Sequence, residues 1–246
     1  MKSANDRDKV IGKLPDLAEE ASLKNFAKFN EMVKQHHAPG VKIHIVNDGF
    51  VFNDLLEVKD STVEEYQERA EDIGKIAPMN WYNLKDFYTS GSLALRREKL
   101  INQFGISDIE LEKRILLDQD VNFLYRGMIH FMEQELSIKE FPSKNQLHKA
   151  AKILTKQMML RNESYSGLVK SEFSKHIRLS MHPSVNNGAK YSFQLIPGAQ
   201  ADKSPWHCAV LETTNSELKT IHKKDAIEAG HELVYKDGQP YYFKQK

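Results

Sequence analysis

Residues 176–198, HIRLSMHPSVNNGAKYSFQLIPG, hold the densest collection of side chains able to do chemistry. Alternation with a period of two puts Ile177, Leu179 and Met181 on one face of a strand and Arg178, Ser180 and His182 on the other. A three-residue hairpin loop at Asn186-Asn187-Gly188 then sets Leu179 opposite Leu195, Met181 opposite Phe193 and His182 opposite Ser192. In that register Ser184, Lys190 and Gln194 join the polar face. Two cations, an imidazole titrating near neutrality and several hydrogen-bonding groups are the chemistry of an anion site with a general acid or base beside it. The same alternation also describes an antiparallel pair with one face in water. A second group, Lys203-Ser204-Pro205-Trp206-His207, precedes the apolar run at Cys208, where loops commonly deliver functional side chains. Its plainer reading is a tryptophan anchoring a loop with His207 merely exposed.

Other candidates sit in helical surroundings. Arg126 lies in Tyr125-Arg126-Gly127, where an interior glycine marks either a close backbone approach or helix packing. Arg161 opens RNESYS, which reads as a junction between helices with Asn162 or Ser164 as a cap. Lys149, Lys152 and Lys156 follow one solvated face, and His36-His37 reads as a helix end, since adjacent helical positions point apart. Trp81, Tyr82, Phe87 and Tyr88 are either core or the lining of an aromatic pocket. Phosphate-loop, dinucleotide, zinc-protease and nucleophile-elbow signatures do not occur.

The elements that must position these residues divide the chain in three. Pro15-Asp16 opens a helix that ends near Pro39-Gly40, Val41 to Val46 reads as a strand, and Val51 to Val58 as a second extended piece. A helix from about Ser61 to Lys75 and a strand from Met79 to Leu84 complete a β-α-β rhythm. From about Lys85 to Lys175 the pattern is helical, with pieces near 92–104, 107–120, 121–137, 144–162 and 163–175. The last third reads as short strands at 177–182, 191–196, 208–213, 218–221, 231–235 and 241–243, bounded by Asn-Gly, Pro-Gly or Asp-Gly turns. Strands at both ends with helices between predict an α/β or α+β domain with one sheet completed by the C-terminal strands.

Composition narrows the function classes. The chain has 246 residues, 40% hydrophobic and 28% charged, which sets aside disorder, collagen and coiled coil. A net charge of +1 leaves no footprint for nonspecific nucleic-acid binding. One cysteine, Cys208, excludes an intramolecular disulfide and argues against a cysteine-based zinc site. With a polar N-terminus and no run of about 18 apolar residues, a cytoplasmic chain without membrane contact is expected.

In order, GKLPDLAEE (12–20), NDGFVFNDLL (47–56), YRGMIHFM (125–132), RNESYSGLV (161–169), IRLSMHPS (177–184), KYSFQLIP (190–197) and SPWHCAV (204–210) resemble the pyoverdine/dityrosine biosynthesis family of isocyanide (isonitrile) synthases. The match is co-linear over nearly the whole chain. It implies an α/β fold, a Rossmann-like mixed sheet with a large helical block inserted and a β-rich C-terminal third, in a single domain spanning 1–246. It implies a cofactor-independent reaction, with no metal, in which the α-amine of an aromatic amino acid, tryptophan or tyrosine, condenses with the ketone of ribulose 5-phosphate. Fragmentation of the sugar then leaves one carbon as the isocyanide. A phosphate and a carboxylate need Arg or Lys partners, and dehydration with carbon–carbon cleavage needs a group titrating near neutrality. His182, His207 and Lys190 are the catalytic candidates, and Arg178, Ser180, Arg126, Arg161 and Lys2 the candidates for substrate binding, with Asp48 and Asp54 weaker ones. Family context implies a separate non-haem iron oxygenase that takes the product. Alternatives are a formamide-forming enzyme of the dityrosine branch and a non-catalytic phosphosugar or amino-acid binder. Family members begin upstream of the residue matching Met1, so this chain is expected to start inside the family's domain.

Overall fold

The computed structural model describes residues 1–180, 191–196 and 204–246. The first helix, α1 (Leu17–Lys34), starts where Asp16 accepts from the Ala18 amide and Glu19 accepts from the Asp16 amide, a reciprocal cap. β1 (Ile43–Val46) leads into a short helix α2 (Gly49–Phe52) and a 3₁₀ turn at Asn53–Leu56. The extended piece expected at 51–58 is therefore helical. Phe50 and Val51 bury in one core cluster and Leu55 and Leu56 in another, and the Asn53 side-chain amide donates to the Val58 carbonyl at 2.8 Å. After α3 (Asp60–Gly74), β2 (Met79–Tyr82) returns parallel to β1, pairing Val46 with Tyr82, so this third is one β-α-β unit.

The helical block comprises α4 (Leu84–Phe87), α5 (Leu93–Phe104), α6 (Asp108–Leu117), α7 (Gln119–Leu136) and α8 (Lys144–Glu172). The break expected at 162–163 is absent: α8 runs on without interruption, and Ser164 sits buried within it, its hydroxyl donating back to the Leu160 carbonyl at 2.8 Å. Gly167 lets α5 approach, since a Cβ there would stand 2.9 Å from Phe104 Cβ.

The third part differs most from expectation. β3 (Leu179–Ser180) and β4 (Tyr191–Ser192) pair in parallel, Leu179 with Tyr191 and Ser180 with Ser192, so the antiparallel hairpin register fails. Parallel strands cannot be joined by a tight turn. β5 (Ala209–Glu212), β6 (Leu218–Ile221), the helix α9 (Lys223–Glu228), β7 (Glu232–Lys236) and β8 (Gln239–Lys244) follow, giving a mixed sheet in the order β6-β5-β8-β7. With β6 and β8 on its two sides, β5 has no edge for β1. Among the described residues the strands thus form three separate sheets, not the single one expected. The β7-β8 turn matches its sequence: Asp237 and Gly238 both adopt positive φ, 52° and 75°, as a two-residue turn of primed type requires.

Candidate functional site

Two polar clusters draw on the long helices, one on α8 and one on α7. The first lies at the C-terminal end of β1, the position where open parallel sheets present ligand sites. Tyr165 on α8 donates from its hydroxyl to the Val46 carbonyl at 2.7 Å, and burial pushes its phenol well above the ordinary value, with the nearby Asp48 charge adding. Arg178, just before β3, is half-buried, and burial draws its pKa below the usual guanidinium value. Among the described residues its Nη2 reaches only the Ser166 hydroxyl, at 3.4 Å, and its buried Nη1 has no partner. No described carboxylate forms an ion pair with it. A charged donor left unpaired away from water costs on the order of 1–3 kcal/mol or more, which an incoming anion would recover. Two residues before it in the chain, His176 joins a ring group with His44, Tyr82, Phe87 and Phe173, whose neighbouring ring centres lie 5.0–6.2 Å apart.

The second cluster ties the N-terminal segment to α7 and to the loop before β5. Glu135 is fully buried and accepts from the Ser3 hydroxyl at 2.6 Å, the Ala4 amide at 2.9 Å and the Lys9 ammonium at 2.8 Å. Burial raises its pKa, but Lys9, Ser3 and His207 together hold it below the ordinary value. Half-buried His207 meets the Phe131 ring edge-on at 5.0 Å, and Lys9 lies 4.6 Å over that same ring. Trp206, next to His207, accepts from the Ser3 amide through its carbonyl at 2.8 Å.

The remaining sequence candidates fall elsewhere. Lys2 is enclosed, its ammonium donating to Asp16 at 2.9 Å and to the Pro205 carbonyl at 2.9 Å, with Glu19 at 2.8 Å. Burial lowers its pKa, and the two carboxylates more than offset that. Arg161 grips Asp54 with both terminal nitrogens and also reaches the Val51 carbonyl at 2.7 Å. It lines a recess of about 260 Å³ with Asp54, Arg97 and Asn102, where an anion would compete with Asp54. Arg126 stands exposed on α7 beside Leu116, Leu117 and Phe123, and a Cβ on Gly127 would meet nothing within 4 Å, so neither reading of that glycine applies. Ser180 is half-buried in β3, its carbonyl accepting from the Phe193 amide. His182 and Lys190 lie outside the described residues. Tyr82 and Phe87 join the aromatic group, Trp81 packs on Gly74, and Tyr88 donates to Gln103. Among the described residues no three His, Cys, Asp or Glu side chains converge as a metal site, and no helix is long and apolar enough to cross a membrane.

Sequence reasoning missed Tyr165 and Glu135. Both sit inside helices, and the usable signal was a lone carboxylate among Ile129, Met132 and Leu136 on the buried stripe of α7.

Fold and site together define a mixed α/β protein with a desolvated arginine, free of acidic partners among the described residues, near the end of a parallel strand. The chain belongs to the pyoverdine/dityrosine biosynthesis protein family, whose model matches residues 1–234. It is 32% identical over its full length to isocyanide synthase xanB of Aspergillus fumigatus, spanning about a third (35%) of that protein. It is 28% identical to an L-tyrosine isonitrile synthase of Xenorhabdus nematophila, with 98% of this chain and 74% of that one aligned. The crystal structure of the PvcA protein from Pseudomonas aeruginosa superposes with a TM-score of 0.91 at 25% identity, covering 99% of this chain and 82% of that one.

Proposed function

We propose that this chain forms an isocyanide on the α-amine of an aromatic amino acid, tyrosine or tryptophan, with ribulose 5-phosphate as the carbon donor. The family and the relatives named as isocyanide and isonitrile synthases support isocyanide synthesis. The observation that carries the reading in this chain is Arg178, a half-buried guanidinium with a buried, partnerless Nη1. Arg178 receives one substrate anion, the amino-acid carboxylate or the sugar phosphate, in the forked geometry guanidinium offers. The ring group of Tyr82, Phe87 and Phe173 takes the aromatic side chain. His207 and His182 move protons during carbinolamine dehydration and carbon–carbon cleavage, and Lys190 is the third catalytic candidate. Lys2 and Arg161, whose charges are already matched, position the site instead of touching substrate. The product passes to a separate non-haem iron oxygenase.

Arg178→Ala tests the assignment. Loss of one charge-assisted pair raises KM for one anionic substrate about ten- to a hundredfold. Thermal stability holds or rises, since the only described partner left behind is Ser166 at 3.4 Å. A variant with both KM values at the wild-type level would overturn the role of Arg178.

A further inference from the structure

We infer that Glu135 is the positioning residue for His207, fixing the platform on which the imidazole sits and raising its affinity for a proton; this rests on the reading of His207 as a proton-transfer group. Packing gives no reason for a carboxylate at this place. The buried stripe of α7 is otherwise Ile129, Met132 and Leu136, and a buried charge there is commonly no better for stability than an apolar residue of similar size. Its partners instead share a destination. Ser3, which donates to Glu135 through its hydroxyl, donates through its amide to the carbonyl of Trp206, the residue before His207. Lys9, which pairs with Glu135, lies over the Phe131 ring, and that ring meets His207 edge-on. Phe131 and Glu135 stand one helical turn apart on the same face of α7. One carboxylate therefore holds both the backbone beside His207 and the ring beneath it.

The charges around His207 give the device its sign. Glu135 and Lys9 face it from α7 and the N-terminal segment. Lys2, Asp16, Glu19 and Tyr66 gather behind the Pro205-Trp206 backbone, where Lys2 holds the Pro205 carbonyl and Tyr66 donates to Glu19. Neutralising Glu135 leaves Lys9 as the nearer charge and disfavours the imidazolium. Neutralising Lys9 leaves Glu135 unopposed and favours it. Opposite displacements from two partners of one ion pair are not what loosened packing alone would give.

The test follows the His207 imidazole by NMR in the full chain, assigned with His207→Gln, across pH 5–9 in wild type, Glu135→Gln and Lys9→Met. The expected result is a midpoint lowered by about half a unit or more, a threefold loss of proton affinity, in Glu135→Gln, and one raised in Lys9→Met. Unmoved midpoints, or midpoints moving the same way in both variants, would overturn the inference. Should Glu135→Gln fail to fold, Lys9→Met decides by its sign. The pH profile of kcat/KM is read beside it. A displaced midpoint with an undisplaced rate profile supports the control of His207 by Glu135 and separately rejects His207 as the proton-transfer group.

Discussion

A lysine ammonium shut away from water keeps its charge only where other groups replace the water, and Lys2 shows what that takes. Two carboxylates and a backbone carbonyl close on it, and its side chain has no exposed surface. Removing the cation strands the acids, whereas Lys2 keeps Glu19 if Asp16 is lost. Lys2→Met is expected to cost about 3–5 kcal/mol, read as a lower urea midpoint, because Asp16 and Glu19 lose their cation. An unchanged midpoint would show that the triad adds nothing to stability. Arg161 and Arg178 make the complementary point, since the same guanidinium serves differently according to what it meets. Arg161 meets Asp54, while Arg178 meets no acid among the described residues. Residue type and order in the sequence flagged both, but only packing separates a matched cation from an unmatched one.

At the scale of elements, the start of α1 carries a titration. Asp16 caps the helix and pairs with Lys2, yet burial first, and then the Glu19 charge, push its pKa up to about 7 against the pull of Lys2. A carboxyl with a raised folded value holds its proton in the native state while the unfolded chain has lost it. Stability therefore falls as pH rises from near 4, the unfolded range, to about 7, and is level beyond. Asp16→Asn keeps the cap and removes the titration. The variant should match wild type at pH 4 and become the more stable of the two by pH 7, the gap widening by up to about 1.4 kcal/mol for each pH unit crossed. Denaturant midpoints at pH 4, 5, 6 and 7 check this, and a gap that does not widen with pH contradicts it. Elements set by local chemistry were legible in the sequence: the Asp237-Gly238 turn, the helices near α5 and α7, and the β1-α3-β2 unit. The junction at Arg161 was not, because Ser164, one of the two cap candidates, is a small residue buried inside α8. Pairing of β3 with β4 was not either, because alternation reports which face a side chain takes and is silent about strand direction.

Across the whole molecule, residues 2–9 bind the parts together. They meet α7 through Glu135 and the 204–207 loop through Lys2 and Ser3. They also meet the start of α9, where the Lys223 and Lys224 amides donate to Lys9 and Asp8. No periodicity reveals contacts separated by some 130 to 220 residues, which is why Lys2 read as a substrate contact and Glu135 went unnoticed, although the residue types were right for buried pairing. One α/β fold thus holds an arginine with no acidic partner among the described residues, an aromatic group and His207, the residue types that the proposed joining of an amino acid to a sugar phosphate calls on. The most direct measurement is mass spectrometry of the purified chain incubated with tyrosine or tryptophan and ribulose 5-phosphate carrying carbon-13 at the ketone carbon. The expected product is an amino acid whose amine has become an isocyanide bearing the label. A folded protein that gives no product with either amino acid, or a product whose new carbon is unlabelled, would contradict isocyanide formation from the sugar ketone.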